Sequence, residues 1–111
     1  MANSFKRKVS RGVSTTLASV NTYTVAANTQ VTVIGLIVSN VANGVTTYVS
    51  ATHYDGTTDT YLVKDAPILP GGALVVVGGE QKLVLESGDS VRVKSSVANG
   101  ADVVMSVLEI S

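Results

Sequence analysis

The sequence predicts an all-β fold: a single antiparallel β-sandwich, jelly-roll or Ig-like, of about eight strands with an extended N-terminal arm. Three observations carry this. Short segments rich in Val, Thr, Leu and Ile recur along the chain, and these residue types suit a pleated, half-buried surface. Turn-forming dipeptides separate them at short intervals, as in sandwiches and small barrels. No interval suits the crossover helix that a parallel sheet requires. At 111 residues the chain is one domain, long enough for a real core.

Residues 1–13, MANSFKRKVSRGV, show no clean period of 2 or 3.6. Phe5, Val9 and Val13 recur every four positions, but Ser10, Gly12 and the short length argue against a stable helix. The segment is expected to be a basic arm that needs a partner surface, with the sandwich occupying residues 14–111. Strands are expected near 17–25, 30–40, 45–54, 59–64, 73–77, 81–86, 90–95 and 102–110. Asn28, Asn43-Gly44, Asp55-Gly56 and Asn99-Gly100 supply turns in which positive φ costs little. Pro70-Gly71-Gly72, Gly78-Gly79 and the stretch 86–89 supply the others.

Alternation assigns faces. Val91 and Val93 point inward while Arg92 and Lys94 point out; Leu83 and Leu85 share one face and Val84 takes the other. The segments 31–38, 73–77 and 103–110 are apolar on both faces. A two-layer sandwich buries one face of each sheet. The second face is therefore expected to lie against neighbouring subunits, with Val103, Met105 and Val107 as the intersubunit face.

The zero net charge conceals a dipolar chain. All eight acidic residues lie at Asp55 or later, whereas Lys6, Arg7, Lys8 and Arg11 fall within the first eleven positions. A basic arm ahead of an acidic body suits identical copies that attract head to tail. Phe5, Lys6, Arg7, Lys8 and Arg11 are accordingly the expected docking element. Nucleic acid is the weaker reading, because four charges without interleaved aromatics give only salt-sensitive, nonspecific binding.

The residue types leave little room for chemistry. Without Cys there are no disulfides and no thiolate metal sites; a single His and no Trp disfavour His-pair metal sites and Ser-His-Asp triads. His53 reads better as a polar residue at a strand end than as an acid, base or ligand. The DGTTD stretch offers two carboxylates, Asp55 and Asp59, where calcium loops usually gather three or more, so it reads as a hairpin loop. GGALVVVGG lacks the Lys-Ser/Thr and following helix of a phosphate loop. Tyr48, Tyr54 and Tyr61 could contact glycans, although cross-strand packing explains them more simply. No enzyme, cofactor or metal is expected. No stretch reaches the ~18 apolar residues of a membrane span. The region after the basic start is too polar for a signal peptide, so no cleaved export signal and no membrane partner are expected.

Several segments together resemble small structural proteins of tailed-bacteriophage virions, particularly those of cyanophages and other marine phages. The carriers are YTV (23–25) leading into VTVIGLIVSN (31–40), then YLVKDAPILPGG (61–72), GGEQKLVLESGD (78–89) and a closing SVLEIS (106–111). The resemblance covers nearly the whole chain from Thr15. It implies a noncatalytic, homo-oligomeric subunit, assembled in the host cytoplasm into the virion and docked on other phage structural proteins. Capsid decoration or cement, neck and tail are all compatible with it. The alternative from another class is a host-surface glycan-binding module displayed on the virion.

Overall fold

Nested antiparallel pairs organise the chain, as seen in a computed structural model that describes residues 3–111. The strands are β1 (Asn3–Ser10), β2 (Ala18–Ser19), β3 (Gln30–Asn40), β4 (Thr47–Tyr54), β5 (Asp59–Ile68), β6 (Ala73–Val77), β7 (Leu83–Leu85), β8 (Ser90–Ser95) and β9 (Ala101–Ile110). β4 and β5 form the innermost hairpin. Around it β3 pairs with β6 and β7, β2 with β8, and β1 with β9, all antiparallel. Rolling this ribbon sets β9 beside β3 and β8 beside β4. The result is a sheet A of order β1-β9-β3-β6, with β7 also on β3, and a sheet B of order β2-β8-β4-β5. That is a jelly roll. The expected strands at 73–77 and 81–86 are β6 and β7, which both pair with β3 on either side of Gly78-Gly79, and the ninth strand is β1, formed by the expected arm.

The two inner faces enclose one aliphatic core. Val31, Val33, Leu36 and Val38 of β3 meet Val103, Met105 and Val107 of β9, with Leu85, Val49, Val91 and Val93 among the side chains that complete it. In β3 the buried positions step by three between Val33 and Leu36. A bulge causes this: Val33 pairs with Val107 and Gly35 with Ser106, leaving Ile34 as an extra residue. The unbroken apolar run of 31–38 is thus partly a shift of register within one strand.

The expectation that Val103, Met105 and Val107 form an intersubunit face is corrected. All three are fully buried within the sandwich. β9 lies between β1 and β3, and the cross-strand partners of these residues are Val38, Leu36 and Val33 of the core. The alternate set, including half-exposed Val104, faces outward.

Of the expected arm, residues 3–10 form β1, an edge strand in continuous register with β9 from Asn3↔Ile110 to Ser10↔Val103. They do not stand away from the body. Residues 1 and 2 lie outside the described part. Deleting residues 2–12 would therefore remove a strand of sheet A. The chain then crosses to sheet B at Gly12, which adopts φ 63°. Its N–H donates to Asp102 Oδ1 (2.9 Å), and Val13 N–H donates to the Ala101 carbonyl (2.8 Å). The strand expected over 17–25 is reduced to β2 followed by a 3-10 turn at Val20–Thr22. There Asn21 and Thr22 take left-handed φ values of 53° and 50° and end the pairing.

Candidate docking surfaces

β1 is one free edge of sheet A, and its residue pattern follows from that position. Residues directly opposite across a pair share a face. Lys6 and Lys8 sit opposite Val107 and Met105 and so point to the inner side; Phe5 and Arg7 sit opposite Leu108 and Ser106 and point out. Inward lysines on an edge strand oppose edge-to-edge pairing with another sheet. Lys8 Nζ lies 4.3 Å from the centre of the Tyr23 ring. The Tyr23 hydroxyl in turn donates to Glu109 of β9. Burial raises the Tyr23 phenol well above its ordinary value, with further contributions from the hydrogen bond and negative charge of Glu109. This cluster fastens β1 and β9 to the segment after β2. Among the described residues no carboxylate pairs with Lys6, Arg7, Lys8 or Arg11, so the edge keeps its positive field.

The opposite side of the sandwich carries the other sign. β1 runs beside the 3-10 turn that follows β2, whereas β5 runs beside β6. Residues 55–86, which include β5, β6 and β7, hold Asp55, Asp59, Asp65, Glu80 and Glu86 against Lys64 and Lys82. The sequence dipole is thus a lateral dipole of the folded subunit.

Tyr48, Tyr54 and Tyr61 do share the outer face of sheet B, since Tyr61 pairs with Thr52 and both Tyr48 and Tyr54 are in phase with it. They do not form an open stacking platform. The Arg92 guanidinium covers the Tyr54 ring at 4.1 Å and Lys64 Nζ lies 5.4 Å from the Tyr61 ring. Ser50 and Asp65, hydrogen-bonded to each other, lie between Tyr48 and Tyr61.

The polar clusters lock loops. His53 Nε2 is 2.9 Å from Asp89 Oδ2, which also accepts the Glu86 N–H at 3.0 Å; together they hold the 86–89 turn against β4. Among the described residues no hydroxyl bonds to His53, so the pair has no nucleophile to activate. Asp59 accepts from Thr52 Oγ1 (2.6 Å) and pairs with Arg92 (3.1 Å), joining β4, β5 and β8. Asp55 accepts from Thr58 N (2.8 Å), Thr57 N (2.9 Å) and Thr57 Oγ1 (3.1 Å). These bonds, that from Thr58 first, hold its carboxyl below the usual value. Its oxygen closes a turn, and among the described residues no group of three or more His, Asp or Glu could hold a metal ion. No helix among those residues is long and apolar enough to cross a membrane.

No protein-family model matches the sequence, and no curated protein matches it. Solved structures match the fold. A chain from the acid-stable capsid of Helicobacter pylori bacteriophage KHP30 superimposes with a TM-score of 0.55 at 15% identity, covering 100% of this chain and 94% of that one. The protein has the fold of a phage-capsid chain over its whole length. A chain from Bacillus endospore appendages, which are disulfide-linked pili, gives 0.54 at 12% identity over 99% of this chain and 87% of the other. A chain of the IBDV viral particle gives 0.57 at 8% identity, where this chain spans 96% of itself but only 30% of that much longer protein. At these identities the likeness is one of fold.

Sequence reasoning missed two contacts that shape these surfaces. Tyr23 and Glu109 are 86 positions apart, and Arg92–Asp59 joins residues of separate hairpins. The outward Arg92 of an alternating strand was the only signal for either.

Proposed function

We propose that this protein is a noncatalytic structural subunit of a bacteriophage virion, present in many copies. In this reading it serves as capsid cement or decoration, or as a neck or tail accessory. One observation carries it: the whole chain, with nothing left over, has the fold of nearly a whole chain from a phage capsid. Two features of the molecule support it. The polar clusters among the described residues all close turns or join strands, leaving no assembled reaction centre. The opposed basic and acidic sides suit repeated lateral contact, in which β1 and the residue after it, with Phe5, Lys6, Arg7, Lys8 and Arg11, dock on an acidic surface of a neighbour. That neighbour is another copy or another protein of the particle, and the working location is the virion, reached by assembly in the host cytoplasm.

The test is incorporation. A Lys6→Glu, Arg7→Glu, Arg11→Glu variant leaves the Lys8–Tyr23 contact in place and keeps β1 paired through its backbone, and its fold is checked by circular dichroism. The expected result is folded protein whose copy number in purified particles falls at least tenfold. Undiminished incorporation would remove the basic edge from the account, and absence of the unmodified protein from particles would remove the virion role. The glycan reading is less favoured because cations occupy two of its three tyrosines.

A further inference from the structure

The outer face of sheet A is apolar in two rows that cross all of its strands. The register places Val9, Val104, Ile37 and Val75 side by side on β1, β9, β3 and β6. A second row, Phe5, Leu108, Thr32 and Val84, crosses β1, β9, β3 and β7. The rows lie four residues apart, roughly 13 Å along the strands. Exposure is high: Phe5 74%, Val75 61%, Val84 60%, Val104 45% and Ile37 43%. These five side chains alone present on the order of 500 Å² of apolar surface, at the upper end of what an unpartnered monomer shows. The half-exposed Val9, Ile34, Leu108 and Ile110 between them bring the face toward the ~800 Å² per partner of a standard interface.

We propose that this face packs against the same face of a second copy, about a two-fold axis parallel to the strands and midway between β9 and β3. The choice of a second copy rests on area and on charge. Such an axis exchanges β1 with β6 and β7 while keeping each row level with itself. Val9 of one copy then meets Val75 of the other, and Phe5 meets Val84. Arg7 lies between the rows and faces the segment 78–82 that joins β6 to β7, where Glu80 is exposed. The basic edge of each copy is thereby laid over the acidic edge of the other, twice, as a self-complementary contact demands. Parallel axes also give the aligned sheet-on-sheet packing, with inner faces ~10 Å apart, that sandwiches use. This deepens the proposed role by naming the surface on which copies meet.

The experiment uses the isolated protein, so that its outcome is separate from incorporation into particles. Sedimentation equilibrium at roughly 100 μM, a concentration that populates even a micromolar dimer, should give twice the 11.4 kDa chain mass. A Val75→Lys, Val104→Lys variant alters exposed positions only and should remain folded by circular dichroism while weakening association at least a hundredfold. The chain has no cysteine, so single substitutions report contacts directly. Sheets packed ~10 Å apart are too distant for a direct disulfide but within reach of a short bis-maleimide. Phe5→Cys and Val84→Cys proteins, mixed and treated with that reagent, should form a mixed cross-linked dimer in excess over either protein alone. A monomer at this concentration, a dimer indifferent to the two lysines, or a mixture that cross-links no better than its components would each overturn the proposal.

Discussion

Replacing Met105 with alanine tests the assignment on which both docking surfaces depend, namely which face of β9 is the core. Met105 is fully buried, and its cross-strand neighbours are Leu36 on β3 and Lys8 on β1. The substitution deletes three side-chain heavy atoms. At roughly 0.8 kcal/mol per methylene-sized group the lost transfer energy is about 2.4 kcal/mol. A residual cavity of a few tens of Å³, at ~24 cal/mol per Å³, adds about 1 kcal/mol. The sum, about 3 kcal/mol, falls within the usual range for such truncations. An unfolding entropy of ~2.1 cal/mol/K per residue over this chain gives about 0.23 kcal/mol/K, so the melting temperature should fall by about 13 °C. Val104→Ala, one position along on the half-exposed face, should cost less than about 1 kcal/mol, or some 4 °C. The assay is a thermal melt followed by circular dichroism at low micromolar protein, where self-association contributes least. A larger loss for Val104→Ala than for Met105→Ala would reverse the faces of β9 and refute the reasoning.

Other predictions follow from single contacts. Gly12→Ala should cost about 1–2 kcal/mol, read from the same melts, because φ 63° is strained for an L-residue and the added Cβ would lie 3.0 Å from Asn99 Oδ1. Tyr23 has a raised folded pKa, so its contribution to stability is full below the ordinary value of 10.0 and is lost only as pH rises through the folded value. In a 295 nm titration of the native protein, the signal removed by Tyr23→Phe should therefore lie above pH 10.0; a difference centred at or below that pH would contradict the buried bond to Glu109. Asp55 has a depressed folded pKa, so its contribution is present above the unfolded value of 3.8 and is lost as pH falls through the folded one. Asp55→Ala should lower the melting temperature near neutrality, and the difference should shrink in acid; a pH-independent difference would mean that the carboxylate does not hold the Thr57–Thr58 turn.

The sheet-forming segments were legible because their chemistry is local. The turns at Asn43-Gly44, Asp55-Gly56 and Asn99-Gly100 carry the φ-tolerant residues that separate β3 from β4, β4 from β5 and β8 from β9, and the strands between them lie within a few residues of expectation. β1 was not legible as a strand. Its inner positions hold Lys6 and Lys8, because a free edge calls for charge where a central strand would carry aliphatic residues, and the alternation is lost. For β9 the strand was plain but its orientation was not: Val103, Met105 and Val107 and their outward neighbours Val104 and Leu108 are equally apolar. Only the pairing with Val33, Leu36 and Val38 decides between them. The bulge at Ile34 was likewise hidden, since a slip of one residue between two apolar faces leaves no mark on hydropathy. For the docking surfaces, the charge asymmetry was visible in the sequence. Its conversion into two opposed sides required the jelly-roll order that sets β1 and β2 at one end and β5 and β6 at the other.

The most direct measurement is a cryo-electron microscopy map of the intact particle into which this protein assembles, at a resolution that traces strands. The account predicts the jelly roll in repeated, symmetry-related copies on the particle, with its basic β1 edge against a neighbouring protein. A map in which every structural position is filled by other chains, with this protein absent from the purified particle, would contradict it.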